Sequence, residues 1–151
     1  MKISIGVNLR KSNDFDKFVD PIGYQVEPST YWNIPCENNE ATLIKVEIDY
    51  VHHTHIHSYM DLLISKLRLD GRLILVGQNL NEINRLYFLD EIDTMRFNQL
   101  VYANDTEPFK RGVYNPSFLK EYLSQKGLKL YKSQLDNITY YLEFVRESIR
   151  N

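Results

Sequence analysis

The chain has 151 residues, 43% of them apolar, and its 18 basic and 20 acidic side chains leave a formal charge of −2. That length fits one domain, residues 1–151, with a full core, and the intermixed charge offers no basic face to gather phosphates, so nucleic acid is disfavoured as a partner. Cys36 is the sole cysteine, which excludes an internal disulfide and makes a reducing cytoplasm the default location.

No run reaches the length of a membrane span, and "MKISIGVNLR" alternates where a signal peptide would carry an apolar block. A soluble, unprocessed, cytoplasmic protein is therefore expected. The abundance of Asn, Ile, Lys and Tyr suits an AT-rich coding sequence of the kind many phages and some bacteria carry.

"KISIGV" predicts a first strand over about residues 2 to 7, stopping near Gly6. "DKFVD" follows as a short strand ending at Asp20, and residues 21 to 42, with Pro21, Pro28 and Pro35, read as loop. Thr42 to Val51 is the strongest strand, because β-branched residues dominate it. From Ile56 the period becomes helical, through Tyr59, Met60, Leu63 and Leu67, with Thr54 as N-cap and Gly71 supplying the positive φ of the stop. "RLILVG" is then a buried strand, and strand, helix, strand over residues 43 to 77 is the βαβ unit of a parallel sheet.

Leu80 to Ala103 is helical but poorly periodic. "NPSFLKEYLSQKG" predicts a helix with Asn115 as N-cap, Pro116 first, Phe118, Leu119, Tyr122 and Leu123 inward, and Gly127 as stop. "LKLYKSQL" and "ITYYLEFVRE" around Asp136-Asn137 predict an antiparallel hairpin.

This order resembles class I S-adenosylmethionine-dependent methyltransferases, and in particular small predicted bacterial and phage methyltransferases. The stretches that carry the resemblance are "ISIGVN" at Ile3 to Asn8, "FVD" at Phe18 to Asp20 and "IPC" at Ile34 to Cys36. "DYVHH" at Asp49 to His53, "LRLDGRLILVGQNL" at Leu67 to Leu80 and "FLKEYLSQKGL" at Phe118 to Leu128 follow in the family's order. The resemblance implies an α/β, Rossmann-like methyltransferase fold of reduced size, mostly parallel, with a C-terminal antiparallel β-hairpin. It also implies S-adenosylmethionine as a small-molecule cofactor held by Gly6, Asn8, Asp20 and Cys36, and an unidentified acceptor meeting it beside His52 and His53. Asn8 stands where the family carries a second glycine, and Gln78 and Asn79 replace its proline and aspartate. These departures keep open a non-catalytic binding or structural module of the same fold.

Chemistry supports these residue types. Glycine lets a ligand approach the backbone. A carboxylate such as Asp20 can accept both ribose hydroxyl hydrogens, although a solvated turn before Pro21 explains it equally well. The four histidines, His52, His53, His55 and His57, form one cluster. His53 and His57 have helical spacing for metal, but zinc takes three or four ligands and no H-E-x-x-H glutamate is present, so no metal site is assigned. For His52 and His53, proton acceptance at a cleft mouth competes with a solvated helix entrance; for His55 and His57 the solvated entrance is preferred.

Overall fold

A computed structural model describes residues 1–6, 14–19, 34–102 and 112–147. Its strands are β1 (Lys2–Ile5), β2 (Lys17–Val19), β3 (Ala41–Glu47), β4 (Leu67–Gln78), β5 (Leu128–Asp136) and β6 (Thr139–Arg146), and its helices are α1 (Ile56–Lys66), α2 (Leu80–Phe88), α3 (Thr94–Tyr102) and α4 (Pro116–Gln125). The strands form one six-stranded sheet in the order β2-β1-β3-β4-β6-β5. Pairing is parallel from β2 to β4 and antiparallel through β6 and β5. The fold is the expected mixed α/β, Rossmann-like one, mostly parallel with a terminal antiparallel hairpin.

Strand register explains where the core lies. Ile3, Ile44, Leu73 and Phe144 align across four strands, as do Ile5, Val46, Leu75 and Leu142 in the next inward row. These rows pack with Tyr59, Met60 and Leu63 of α1 and with Leu119 and Leu123 of α4. Each such side chain, when fully buried, contributes about 1.5–3 kcal/mol relative to exposure. The opposite face alternates to Ser4, Lys45, Ile74 and Glu143, where Arg72 pairs with Glu143 at 3.1 Å and stacks over Tyr131 at 4.4 Å. No described helix is long and apolar enough to cross a membrane.

Several boundaries differ from expectation. β3 stops at Glu47, four residues short of Val51, because the chain tightens into a 3-10 turn at Ile48–Tyr50. The histidines form a second such turn, His53–His55, capped by His52, whose ring nitrogen accepts the Thr54 N–H at 3.2 Å; the N-cap position of α1 is His55, not the expected Thr54, and it makes no side-chain cap bond. The positive φ after α1 falls on Asp70, at 64°, and Gly71 is instead a site of close approach, where a Cβ would meet the Ala41 carbonyl at 2.9 Å. The poorly periodic middle is two helices, α2 and α3, parted at Asp90, which takes a positive φ of 56°.

In α4, Asn115 accepts the Ser117 N–H at 3.0 Å and Gly127 takes φ 85°, as anticipated, but Phe118 faces outward. The hairpin turn is one residue later than expected: Asp136 pairs with Thr139, and Asn137 takes φ 54°, the first-position sign of a type II′ turn.

α1 and α4 are tied by Tyr122, whose hydroxyl donates to Asp61 Oδ1 at 2.7 Å, with Lys126 Nζ at 3.4 Å from the same oxygen. Burial first, then the hydrogen bond and charge of Asp61, push the Tyr122 hydroxyl up to about 12 from 10. The native state therefore holds this proton more tightly than the unfolded chain does. The stabilisation is complete below pH 10 and is lost as pH rises from 10 towards 12. Thermal melts of Tyr122→Phe should show a melting temperature that falls less steeply than wild type across this range. At neutral pH the variant should lose about 0.5–1.5 kcal/mol for the missing hydrogen bond.

Candidate functional site

In an open α/β sheet the ligand crevice forms at the carboxyl ends of the strands where their order reverses. Here the chain runs from β1 outward to β2 and then returns to place β3 on the other side of β1, so the reversal lies between β1 and β3. Ile5 pairs with Val46, which brings Gly6 beside Glu47 at this point. Both side-chain positions fall on the sheet face opposite the core.

Gly6 is buried, and its N–H donates to the Val19 carbonyl at 3.0 Å, joining the end of β1 to the end of β2. A Cβ at Gly6 would overlap the Glu47 side chain, approaching Cδ to 2.6 Å and Cγ to 2.8 Å. The bare backbone at Gly6 is therefore needed by the chain itself. It leaves room for a carboxylate folded over the end of β1, which gives the crevice a negative group.

A second polar set follows β3. Asp49 is buried in the 3-10 turn; its Oδ2 accepts the Gln78 N–H at 2.8 Å and its carbonyl accepts the Gly112 N–H at 3.0 Å. One residue thus links the ends of β3 and β4 to the segment leading into α4. Tyr114 donates to the Val51 carbonyl. Tyr140 is buried against Gly77, where a Cβ would come within 2.5 Å of the ring carbon bearing the hydroxyl. Burial, then the negative charge of Asp49 and then Tyr114, raise the Tyr140 hydroxyl far above the ordinary tyrosine value, so it stays protonated.

Beside this set, a cavity of about 150 Å³ opens between Asn79–Asn81 and Val113–Pro116. Three amides and one phenol, groups that both donate and accept hydrogen bonds, line it together with Leu80, Val113 and Pro116.

The expected site residues separate into three groups. Gly6 lies at the reversal point. His52 and His53 follow the Asp49 turn: His52 is half-buried, accepts from Thr54 and stacks on His53 at 4.6 Å, while His53 is exposed. His55 and His57 are also exposed, and the His57 ring lies 4.9 Å from Tyr122. Among the described residues no group of three or more histidine, cysteine or acidic side chains is placed to hold a metal ion.

Cys36 is not brought to this edge. It precedes β3, and the charges acting on its thiol are Lys66, Glu40, the amino terminus and Glu37, all at the amino ends of the strands; burial, the main cause, raises its pKa. The length of β1 separates it from Gly6, about 13 Å at 3.3 Å per residue. Asn8 and Asp20 lie outside the described residues. Glu47, Asp49 and Tyr140 were not singled out from sequence. A signal was available in "VEID", where two carboxylates interrupt the end of the most apolar strand.

No protein-family model matches the sequence. No curated protein matches it at a significant level. Among solved structures, the fold matches a Pyrococcus horikoshii protein with TM-score 0.58 and 12% identity, over 97% of this chain and 71% of that one. It matches a SAM-dependent methyltransferase from Archaeoglobus fulgidus with TM-score 0.55 and 10% identity, over 95% and 75%. An exported-protein candidate from Bordetella parapertussis matches with TM-score 0.56 and 12% identity, over 78% and 42%. The chain spans about half the length of several of the solved proteins it matches. At these identities the likeness is one of fold.

Gly6 and Glu47 should be energetically coupled. Gly6→Ala should destabilise the protein by about 1–3 kcal/mol, the usual cost of overpacking. In the Glu47→Ala background the same change should cost about 1 kcal/mol less, measured by urea unfolding of all four proteins in the cycle. Equal costs in both backgrounds would mean that the carboxylate does not occupy this space in solution.

Proposed function

We propose that this chain is a small, single-domain S-adenosylmethionine-dependent methyltransferase acting on an unidentified acceptor. The observation that carries the proposal is the position of Glu47 over Gly6 at the strand-order reversal. A carboxylate in that crevice suits a ligand bearing positive charge, and S-adenosylmethionine carries both an ammonium and a sulfonium. When bound, the cofactor supplies a methyl group on that sulfonium for in-line displacement.

The chain's own part is then positioning and proton handling. Gly6 makes room for Glu47, which complements the cationic end; Asp20 is assigned the ribose hydroxyls, and Asn8 the turn beside the methionine part of the cofactor. His53, supported by His52, is assigned the proton that an acceptor releases; an exposed imidazole can pass it on to water. The amide-lined cavity beside Asn79 and Tyr114 is the acceptor's place of entry. A cytoplasmic location and a phage origin belong to the same proposal, supported by the lone thiol and the composition.

A second proposal, a non-catalytic module of this fold, draws on the same carboxylate. Glu47 packed tightly on Gly6 also serves as a plug that fills the crevice from within.

Calorimetric titration separates the two. Enzyme or cofactor sensor predicts micromolar binding of S-adenosylmethionine, weakened about tenfold or more, some 1.4 kcal/mol, in Asp20→Ala. Glu47→Gln should weaken S-adenosylmethionine more than S-adenosylhomocysteine, whose sulfur is uncharged. No heat with either ligand, or binding that appears only when Glu47 is shortened to Ala, would favour the plugged module.

A further inference from the structure

The cavity of about 150 Å³ between Asn79–Asn81 and Val113–Pro116 is held open by the fold itself. Both lining stretches are tied, just before they begin, to the 3-10 turn after β3. Asp49 accepts the Gln78 N–H through Oδ2 at 2.8 Å and the Gly112 N–H through its carbonyl at 3.0 Å, and Tyr114 donates to the Val51 carbonyl. One turn therefore sets the distance between the two walls. His53 follows two residues after Val51.

The lining narrows the chemistry of a ligand. Among the described residues no charged side chain lines the cavity, and Glu82, next to Asn81, is neutralised by Arg85 at 2.6 Å. A phosphate or carboxylate would find no guanidinium or ammonium there, and an amine would find no carboxylate. Tyr114, the one aromatic ring, is 4% exposed, so no ring face is open for a base to stack upon. Amides are what remain. Asn79 begins α2 without using its side chain as a cap, whereas Asn115 is already engaged, its Oδ1 accepting the Ser117 N–H at 3.0 Å and the Ser117 hydroxyl at 2.8 Å. Asn79, half-buried, and Asn81, exposed, each present two donors and an acceptor.

A hydroxyl also donates and accepts, at a single atom, so a ring of hydroxyls matches these amides, while Leu80, Val113 and Pro116 meet its C–H faces. At about 30 Å³ per water the space equals roughly five waters, which suits one ring and not a chain of them.

We propose that this cavity binds one neutral sugar unit and, resting on the methyltransferase reading above, that a hydroxyl of this sugar is the methyl acceptor. The sugar oxygen bonds to the methyl carbon as the carbon–sulfur bond breaks. The electron pair stays on sulfur, and the hydroxyl proton passes to the His53 imidazole and on to water. The products are a sugar methyl ether and S-adenosylhomocysteine.

The test is a nuclear magnetic resonance titration of the isotope-labelled full chain with methyl α-D-glucopyranoside and methyl α-D-mannopyranoside, with and without S-adenosylhomocysteine. At least one sugar should shift the side-chain amide signals of Asn79 and Asn81, with a Kd on the order of 1 mM. Asn79→Leu and Asn81→Leu keep the shape without the hydrogen bonds, and each should weaken the sugar about three- to tenfold. Their heat of binding S-adenosylmethionine should match wild type, and the exposed Asn81→Leu should melt as wild type does. Sugar shifts in a protein that gives no heat with S-adenosylmethionine would support the ligand class while removing the reaction. Absence of sugar shifts overturns the inference, and leaves the proposed enzyme standing where S-adenosylmethionine still binds. Tighter binding of uridine, inorganic phosphate or N-methylacetamide at the same two amides overturns it as well.

Discussion

The alignment of β1, β3, β4 and β6 governs the rest of this structure. Ile3, Ile44, Leu73 and Phe144 share one row and point to α1 and α4; the next row, Ser4, Lys45, Ile74 and Glu143, points the other way. Side chains alternate with a period of two, so a slip of one residue on any strand would send charges into the core and isoleucines out of it. The same alignment sets Gly6 opposite Glu47 and Gly77 opposite Tyr140. The core and the candidate site are two consequences of one register.

Those two glycines act in opposite layers. Gly77 lies on the core face, and its missing side chain admits the Tyr140 ring, closing the apolar layer at its upper edge. Gly6 lies on the polar face and admits the Glu47 carboxylate. A methyl group in either place would push a strand end outward, and these are the strand ends that border the crevice. Asp49 adds a third tie through the Gln78 N–H, so the ends of β3 and β4 are held by backbone-directed hydrogen bonds as well as by packing.

The fold was legible because its signals are local and repeated. The βαβ pattern of residues 43 to 77, the Asn115-Pro116 helix start and the C-terminal hairpin each rest on periodicity or capping, which a single sequence displays. What misled were features decided by tertiary partners. Thr54 is a good N-cap type, yet it lies inside a 3-10 turn that runs directly into α1, so His55 holds the N-cap position of α1 and makes no side-chain cap bond there. Gly71 looked like a helix stop, but Asp70 bears the positive φ and Gly71 is needed against the Ala41 carbonyl.

At the site the limit was of the same kind. Gly6 could be found as the end of a strand, whereas Glu47 gains its meaning only from a neighbour 41 positions away in sequence. Cys36 was drawn in by its place in a motif, and the topology puts that segment at the amino ends of the strands.

Parallel sheets are ordinarily covered on both faces. Here the described helices α1 and α4 both pack on the isoleucine face, and the other face is dressed by its own long side chains. Arg72 reaches Glu143 and lies flat on Tyr131, while Lys132 extends over Tyr141, so aliphatic stems and ring faces cover Ile74, which is only 8% exposed. Charged heads at the rim remain in contact with water. Among the described residues, the apolar positions of β4, β5 and β6 on this face are covered by the sheet's own side chains and by no helix. That covering is confined to one half: at β1 and β3 the polar face carries Gly6 with the Glu47 side chain folded directly over it, in place of a lattice of stacked stems.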